Sequence, residues 1–272
     1  MSECSHNCES CGENCSQRTI QKAKANEKSK IKHVIGIVSG KGGVVKSFVT
    51  SLLASGLRKK GHSVGILDGD ITGPSIPKSF DIHSAAEGDG VQYIYPAETT
   101  SGIKIISANM MLPHEEDPII WRGTLISSLL TQFFSDVVWG ELEYLLIDMP
   151  PGTGDVPLTA FQQLPLDGVI IVTSPQDLVS MIVKKQINMA KMMNVPILGI
   201  VENMSYVLCP NCNEKIQIFG DSKVETVAKQ YSLNVLAKLP IRLGNSNLID
   251  NGKIENIDVP EFYEVVEAVE KL

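Results

Sequence analysis

The chain has no apolar run approaching the roughly 20 residues needed to cross a bilayer, although 43% of its 272 residues are hydrophobic. It lacks a basic excess. Lys and Arg number 24 against 31 Asp and Glu, the formal charge is −7, and the isoelectric point lies near 5.3. An acidic chain of this kind lacks the phosphate-neutralising charge that drives binding to nucleic acid. Neither a nucleic-acid nor a membrane partner is expected. The opening residues, MSECSHNCESCGENCSQ, contain no apolar stretch and do not read as a secretory signal, so a soluble, cytoplasmic protein is expected. No internal repeat is visible. With 20% charged residues the composition is that of a globular chain rather than a disordered one. A globule of this size buries roughly three-quarters of its unfolded surface and needs no staples.

Cysteine is absent from the whole middle of the chain. The six present fall in two clusters, Cys4, Cys8, Cys11 and Cys15 at one end and Cys209 and Cys212 near the other. In a reducing compartment, clustered thiols more often bind metal or do redox chemistry than form disulfides. Residues 17–32 follow the first cluster with six Lys or Arg and one acid, Glu27. They read as a tail or solvated helix, its charge keeping a linker in water. The expected organisation is a Cys-rich extension and basic linker over 1–32 and a single domain over 33–272.

From His33 onward, short apolar runs alternate with helical spacing. HVIGIVSG, SVGILD, IKIISA, EYLLIDMP, DGVIIVTS, VPILGIVEN and NVLAKLPI read as buried strands. Helices are expected over 46–60 with Gly61 as the stop, 121–138, 177–193 and 260–271. A hairpin is expected within 82–103. Buried strands alternating with helices imply an α/β fold, a mostly parallel doubly wound sheet with helices on both faces. Ligands in such sheets bind beyond the carboxyl ends of the strands. The Met-rich helix (Met181, Met189, Met192, Met193) and the tryptophans Trp121 and Trp139 read first as packing.

SGKGGVVKS, residues 39–47, lies between a predicted strand and a predicted helix. Gly40, Lys46 and Ser47 match the phosphate-loop pattern G-x-x-x-x-G-K-[ST]. Backbone amides of Gly40, Lys41, Gly42, Gly43, Val44, Val45, Lys46, Ser47 and Phe48 would curl around phosphate oxygens at a helix N-terminus. Lys46 would reach the β/γ phosphates and Ser47 would ligate magnesium. Val45 stands where the second glycine belongs. If that position needs positive φ, a β-branched residue is a steric outlier there and costs about 1–3 kcal/mol. Its methyls would also crowd the β-phosphate. Carboxylates at the ends of two strands, Asp68 with Asp70 and then Asp148, fall where magnesium and an attacking water would sit. Gly152 and Gly154 in PPGTGD give the following backbone freedom to respond to the γ-phosphate. A lone acid after a strand would read as a helix cap; three in this order favour a site.

With Lys41 added to the loop, KGG-x-x-K-[ST], the sequence resembles the deviant Walker A ATPases: the partitioning proteins MinD and ParA, the nitrogenase iron protein and the iron–sulfur carriers. LDGDITGPSIP, WRGTLISSLLTQFF, DVVWGELEYLLIDMPPGTGD, TSPQ, GIVENMS and CPNC narrow the resemblance to the Mrp/ApbC-type iron–sulfur cluster carriers, from residue 33 to the C-terminus. The resemblance implies a P-loop NTPase fold and ATP hydrolysis with Mg2+. Lys41 would cross a dimer interface to the partner's nucleotide. Asp70 would handle the water and Asp68 sit nearer the metal. Asp148 would hold magnesium, and Asn203 would recognise adenine, an amide being able to donate and accept at once. The family's usual loop has glycine at position 45, so the departure sets ATP turnover in question.

Cys209-Pro-Asn-Cys212 supplies two thiols, whereas metal centres of this type take four. The resemblance implies one [4Fe–4S] cluster bridging a homodimer, passed on to apo iron–sulfur proteins. A redox dithiol and half a zinc site are the alternatives. Cys4, Cys8, Cys11 and Cys15 can close around one metal by themselves; the resemblance favours [4Fe–4S] over zinc, with His6 a bystander. The rival functions are a nucleotide-dead scaffold, a partitioning-type regulatory ATPase and an electron-donating reductase. The acidic C-terminal EFYEVVEAVEKL does not suit the membrane helix of a partitioning protein.

Overall fold

The computed structural model describes residues 22–70, 75–88, 93–112, 123–176 and 179–272. Cys4, Cys8, Cys11, Cys15, His6 and Trp121 lie outside the described residues. The elements run β1 (Lys30–Ser39), α1 (Lys46–Lys59), β2 (Val64–Asp68), α2 (Ile76–Ser79), β3 (Glu87–Gly88), β4 (Ile94–Tyr95), β5 (Ala97–Glu98), β6 (Lys104–Ser107), α3 (Gly123–Ser135), β7 (Glu141–Asp148), α4 (Asp155–Gln163), β8 (Gly168–Thr173), α5 (Val179–Met192), β9 (Ile197–Leu208), β10 (Lys215–Ile216), α6 (Val224–Tyr231), β11 (Val235–Ile241), α7 (Asn245–Asp250) and α8 (Tyr263–Glu270).

Nine strands form the main sheet in the order β10-β9-β8-β1-β7-β2-β6-β5, with β11 on the free edge of β9. All pairings are parallel except β5 with β6 and β10 with β9. The strand residues alternate between two cores, as a sheet covered on both faces requires. Val34 and Val38 of β1, Leu145 and Ile147 of β7 and Val169 and Ile171 of β8 face α3, α4, α5 and α6. Ile35 and Ile37, Tyr144 and Leu146, and Ile170 and Val172 face α1 and α8. Gly61, φ +97°, supplies the left-handed turn that ends α1. Trp139 is fully buried and donates its indole N–H to the Phe133 carbonyl at 3.1 Å.

Four local expectations differ from the structure. Residues 22–29 contain no helix and lie on the domain rather than in solvent. Ala23 and Ala25 pack against the core, the Ala23 N–H donates to Gln163, and the Lys22 ammonium donates to the Phe161 carbonyl at 2.7 Å. Small residues and the aliphatic stems of lysine can cover apolar surface despite a basic composition. Strand β9 does not stop at Asn203 but runs on to Leu208, past an irregular register with β11 and a positive φ of 55° at Met204. Met181 and Met192 of α5 are exposed, while Met189 is buried and Met193 partly so. The terminal helix splits into a 3-10 turn at Pro260–Phe262 and α8.

Candidate functional site

The loop from Gly40 to Val45 joins the end of β1 to α1. Its turn has two sources. Gly43 takes φ +81°, which glycine does freely. Gly40 is needed for a different reason: an added Cβ would stand 3.0 Å from the Ile182 carbonyl oxygen and run into its side chain. Helix α5 therefore excludes any side chain at position 40. Val45 caps α1 at φ 55° and ψ 49°, the left-handed region, with 48% of its surface exposed. The conformation a glycine would adopt without strain is thus held by a β-branched residue.

Behind the loop, Asp148 ends β7 beside Asp68 at the end of β2, the two being register partners. Both are buried. Three groups of α1 converge on Asp148. Lys46 places Nζ 2.7 Å from Oδ2, Ser47 donates its hydroxyl to Oδ2 at 2.6 Å, and Thr50 donates to Oδ1 at 2.5 Å. Lys46 Nζ also lies 3.9 Å from an oxygen of Asp70. The Lys46 ammonium is buried and has no hydrogen bond of good geometry, only these ion pairs. It thus keeps donor capacity for an anion in the loop. Asp68 accepts from the Ser107 hydroxyl at 3.1 Å and from the Asp70 N–H at 3.2 Å. Burial first, and then the nearby Asp148 charge, push the Asp68 carboxyl up to about 8. Burial and the neighbouring carboxylate thus both favour the protonated form of Asp68.

Lys41 stands outside this cluster, exposed, donating to the Gln176 side chain at 2.6 Å. Asn203 is buried and serves the loop's backbone. Its Nδ2 donates to the Val44 carbonyl at 3.0 Å and its Oδ1 accepts the Met204 N–H at 2.9 Å. One amide hydrogen and one lone pair are left for a base. Gln186 of α5 ties Ser39 to Gly152 by donating to both carbonyls. The structure thus brings together Lys46, Ser47, Asp68, Asp70 and Asp148 and tethers Val44 to Asn203. Thr50, Ser107 and Gln186 belong to the same set and escaped the sequence reading. Thr50 had one available signal, its spacing three residues beyond Ser47 on the same face of a helix.

The donor set suits a phosphate with magnesium. A buried ammonium, a hydroxyl and a carboxylate sit at a helix N-terminus whose first turn has free amides. Val45, β-branched and at positive φ, is the residue of the loop that departs from the glycine of the phosphate-loop pattern.

Cys209 and Cys212 lie in the turn between β9 and β10. The Cys209 N–H donates to the Glu214 carbonyl and the Asn213 N–H to the Cys209 carbonyl, both at 2.9 Å. Asn213 takes the left-handed φ of 58° that closes the turn. Backbone N–H groups of Asn211 and then Cys212 point at the Cys209 sulfur and lower its pKa below the usual thiol value, with the Cys212 thiol adding to the effect. Both thiols are free, Cys209 half-buried and Cys212 exposed. Among the described residues, no group of three or more His, Cys, Asp or Glu could hold a metal ion. The turn therefore offers two sulfur ligands and no third. No helix among the described residues is long and apolar enough to cross a membrane.

Comparison with known proteins agrees with this geometry. The family model for the ParA-class NUBPL iron-transfer P-loop NTPase matches residues 30–272. An iron–sulfur cluster carrier protein of Clostridium perfringens is 48% identical over 233 residues, 83% of this chain and 81% of its own. One of Methanocaldococcus jannaschii is 47% identical over 260 residues, 93% and 90% of the two chains. Among solved structures, a nucleotide-binding protein from Archaeoglobus fulgidus in complex with ADP has a TM-score of 0.76 and 41% identity, covering 86% of this chain and 91% of its own. A MinC:MinD cell division complex from Aquifex aeolicus, TM-score 0.65 at 17% identity, shares the fold. With its phosphate loop, its buried aspartates and its match over nearly the whole domain, the chain belongs to the NUBPL iron-transfer P-loop NTPase family.

Proposed function

We propose that the protein is an iron–sulfur cluster carrier that holds one [4Fe–4S] cluster between two copies of itself, on Cys209 and Cys212 of each, and delivers it to apo-proteins. The observation that carries the reading is the two-thiol turn. Two backbone amides point at one sulfur and favour its thiolate, and among the described residues no third ligand group stands with the pair. A cluster of this kind is held by four thiolates, and a two-fold axis doubles two into four. The relatives named as iron–sulfur cluster carriers support the same cargo. Cys4, Cys8, Cys11 and Cys15 are proposed as a second, self-contained thiol site on the N-terminal extension.

ATP with Mg2+ is proposed for the loop. Lys46 would pair with the β/γ phosphates, Ser47 and Asp148 would hold magnesium, and Asp68 would lie beside it. Asp70 would orient water, Lys41 would serve the partner's nucleotide, and Asn203 would use its remaining amide faces on adenine. The bound nucleotide would supply phosphoryl-transfer chemistry; what the chain does for it is position charge. The neighbour solved with ADP supports the ligand class. Lys46 would turn its unused donors to the phosphate, so its ion pair with Asp148 within the protein competes with the ligand.

One observation favours a second reading of the nucleotide half alone, namely weak binding and slow turnover. Val45, a β-branched residue, sits at φ 55° at the N-cap of α1, where the phosphate-loop pattern has glycine. Cluster carriage does not depend on it. The experiment for the main reading is anaerobic loading with iron and sulfide followed by counting both. About two irons per chain at the C-terminal site is expected; zinc without sulfide would end the reading.

A further inference from the structure

Three of the eleven large apolar side chains exposed among the described residues fall within four positions just after the cysteine turn: Ile216, Ile218 and Phe219, at 48%, 56% and 37% exposure. The adjacent Lys215 ammonium is folded back over the Tyr206 ring at 4.5 Å from its centre, and the exposed acids Glu214 and Asp221 flank the patch rather than interrupt it. Strand β10 pins Ile216 against Val207 and so fixes the patch relative to the thiols of the same turn. Contiguous exposed apolar groups mark a surface meant to be covered.

We infer that Ile216, Ile218 and Phe219 form an apolar collar that meets the same residues of a second copy of this chain and seals the shared cluster from water. The inference rests on the bridging reading above and adds to it the surface that holds the two copies together. The occupant follows from the site. Whatever covers the patch must bring the missing sulfur ligands, and a second copy brings two on the same turn. In a two-fold contact each residue meets its own kind or near neighbours. Charge would repel itself in that arrangement, whereas an apolar patch is complementary to itself. The collar places water-excluding contacts around the thiols, as near-neutral rings do around the centres of protein interfaces.

The test uses the full chain with Cys4, Cys8, Cys11 and Cys15 replaced by Ser, loaded anaerobically with iron and sulfide. The variant pair is Ile218→Ser with Phe219→Ser, and the control is Met192→Ser, an exposed apolar residue on α5. Sedimentation measures the dimer, a ferrous chelator measures cluster loss, and circular dichroism confirms that each variant is folded. The expected result is a dimer dissociation constant raised at least tenfold in the double variant, with cluster loss several-fold faster and the control unchanged. A parent that binds iron as a dimer while the double variant matches it in both readouts overturns the collar and leaves the bridging cluster standing. A parent that is fully iron-loaded as a monomer overturns both. If iron and dimer appear only when the four N-terminal cysteines are restored, the collar's occupant is that segment and the inference is wrong.

Discussion

The phosphate loop and the cysteine turn both follow the carboxyl ends of parallel strands, β1 and β9, yet they are built in opposite ways. The charges behind the loop are satisfied within one chain: Lys46, Ser47 and Thr50 all converge on buried Asp148, and burial raises the pKa of Asp68 beside it. The turn is open and half-made, with two free thiols, two amides aimed at one of them and an apolar margin. The first site stores its charges against one another until a ligand displaces them. The second has, among the described residues, no internal substitute for its ligand, and on the proposed reading it is completed by another molecule. A carrier needs this asymmetry, because cargo held by half-sites can be released by parting them, whereas a buried pocket would keep it.

Changes at the turn should have the largest effect. Cys209→Ser or Cys212→Ser, with the N-terminal cysteines also replaced, should abolish bound iron and sulfide altogether, as read by elemental analysis. Retention of half the iron would mean that the turn is not half a site. Next comes the closed site. Lys46→Met removes the only cation that, among the described residues, pairs with buried Asp148, and breaking a buried pair in this way costs about 3–5 kcal/mol. Chemical denaturation should show that loss while cluster binding at the turn persists in the folded fraction.

Val45→Gly should act in the other direction. It relieves about 1–3 kcal/mol of backbone strain, partly offset by the roughly 0.5–1 kcal/mol entropic cost of glycine. Nucleotide affinity, measured by calorimetry, should rise about tenfold or more, equivalent to about 1.4 kcal/mol. Equal affinity in both proteins would show that the cradle tolerates the side chain.

The smallest effect lies at the far end of the sheet and serves as a control for both sites. His62 bridges Glu143 of β7 and Glu270 of α8 at 3.0 Å to each. The Glu270 hydrogen bond, opposed by partial burial and aided by Glu143, raises the His62 pKa above 6.5. Hydrogen bonds from His62, and for Glu270 first from Lys60, lower the two carboxylates below 4.5. The histidine's contribution is full below about 6.5 and is lost as pH rises through its raised folded value; the carboxylates' contribution is present above about 4.5 and is lost on acidification. The difference in thermal midpoint between the protein and His62→Gln should therefore be greatest between those limits and shrink above pH 7. A difference that grows with alkaline pH would contradict the assignment.

Much of the fold was legible because fully buried parallel strands announce themselves as apolar runs, and β1, β7 and β8 alternate two faces that each need a partner. The loop was legible from Gly40, Lys46 and Ser47, and the doubt over Val45 met a φ of 55° at that position. What stayed hidden depends on residues far apart in sequence. Asn203 reaches Val44 across 159 positions, and Ser107 reaches Asp68 from a neighbouring strand. The extension of β9 past Met204 was missed because a strand that bends through a left-handed residue shows no clean alternation. The collar escaped because Ile216, Ile218 and Phe219 read as ordinary hydrophobic residues until their exposure is known.

Native mass spectrometry of the iron-loaded chain, with Ser in place of the four N-terminal cysteines, weighs the bridged particle itself. A cluster shared between two turns gives a particle with the mass of two chains plus a single Fe4S4 unit, and no cluster on a lone chain. A single chain carrying the whole cluster, or a dimer whose added mass is zinc, would contradict it.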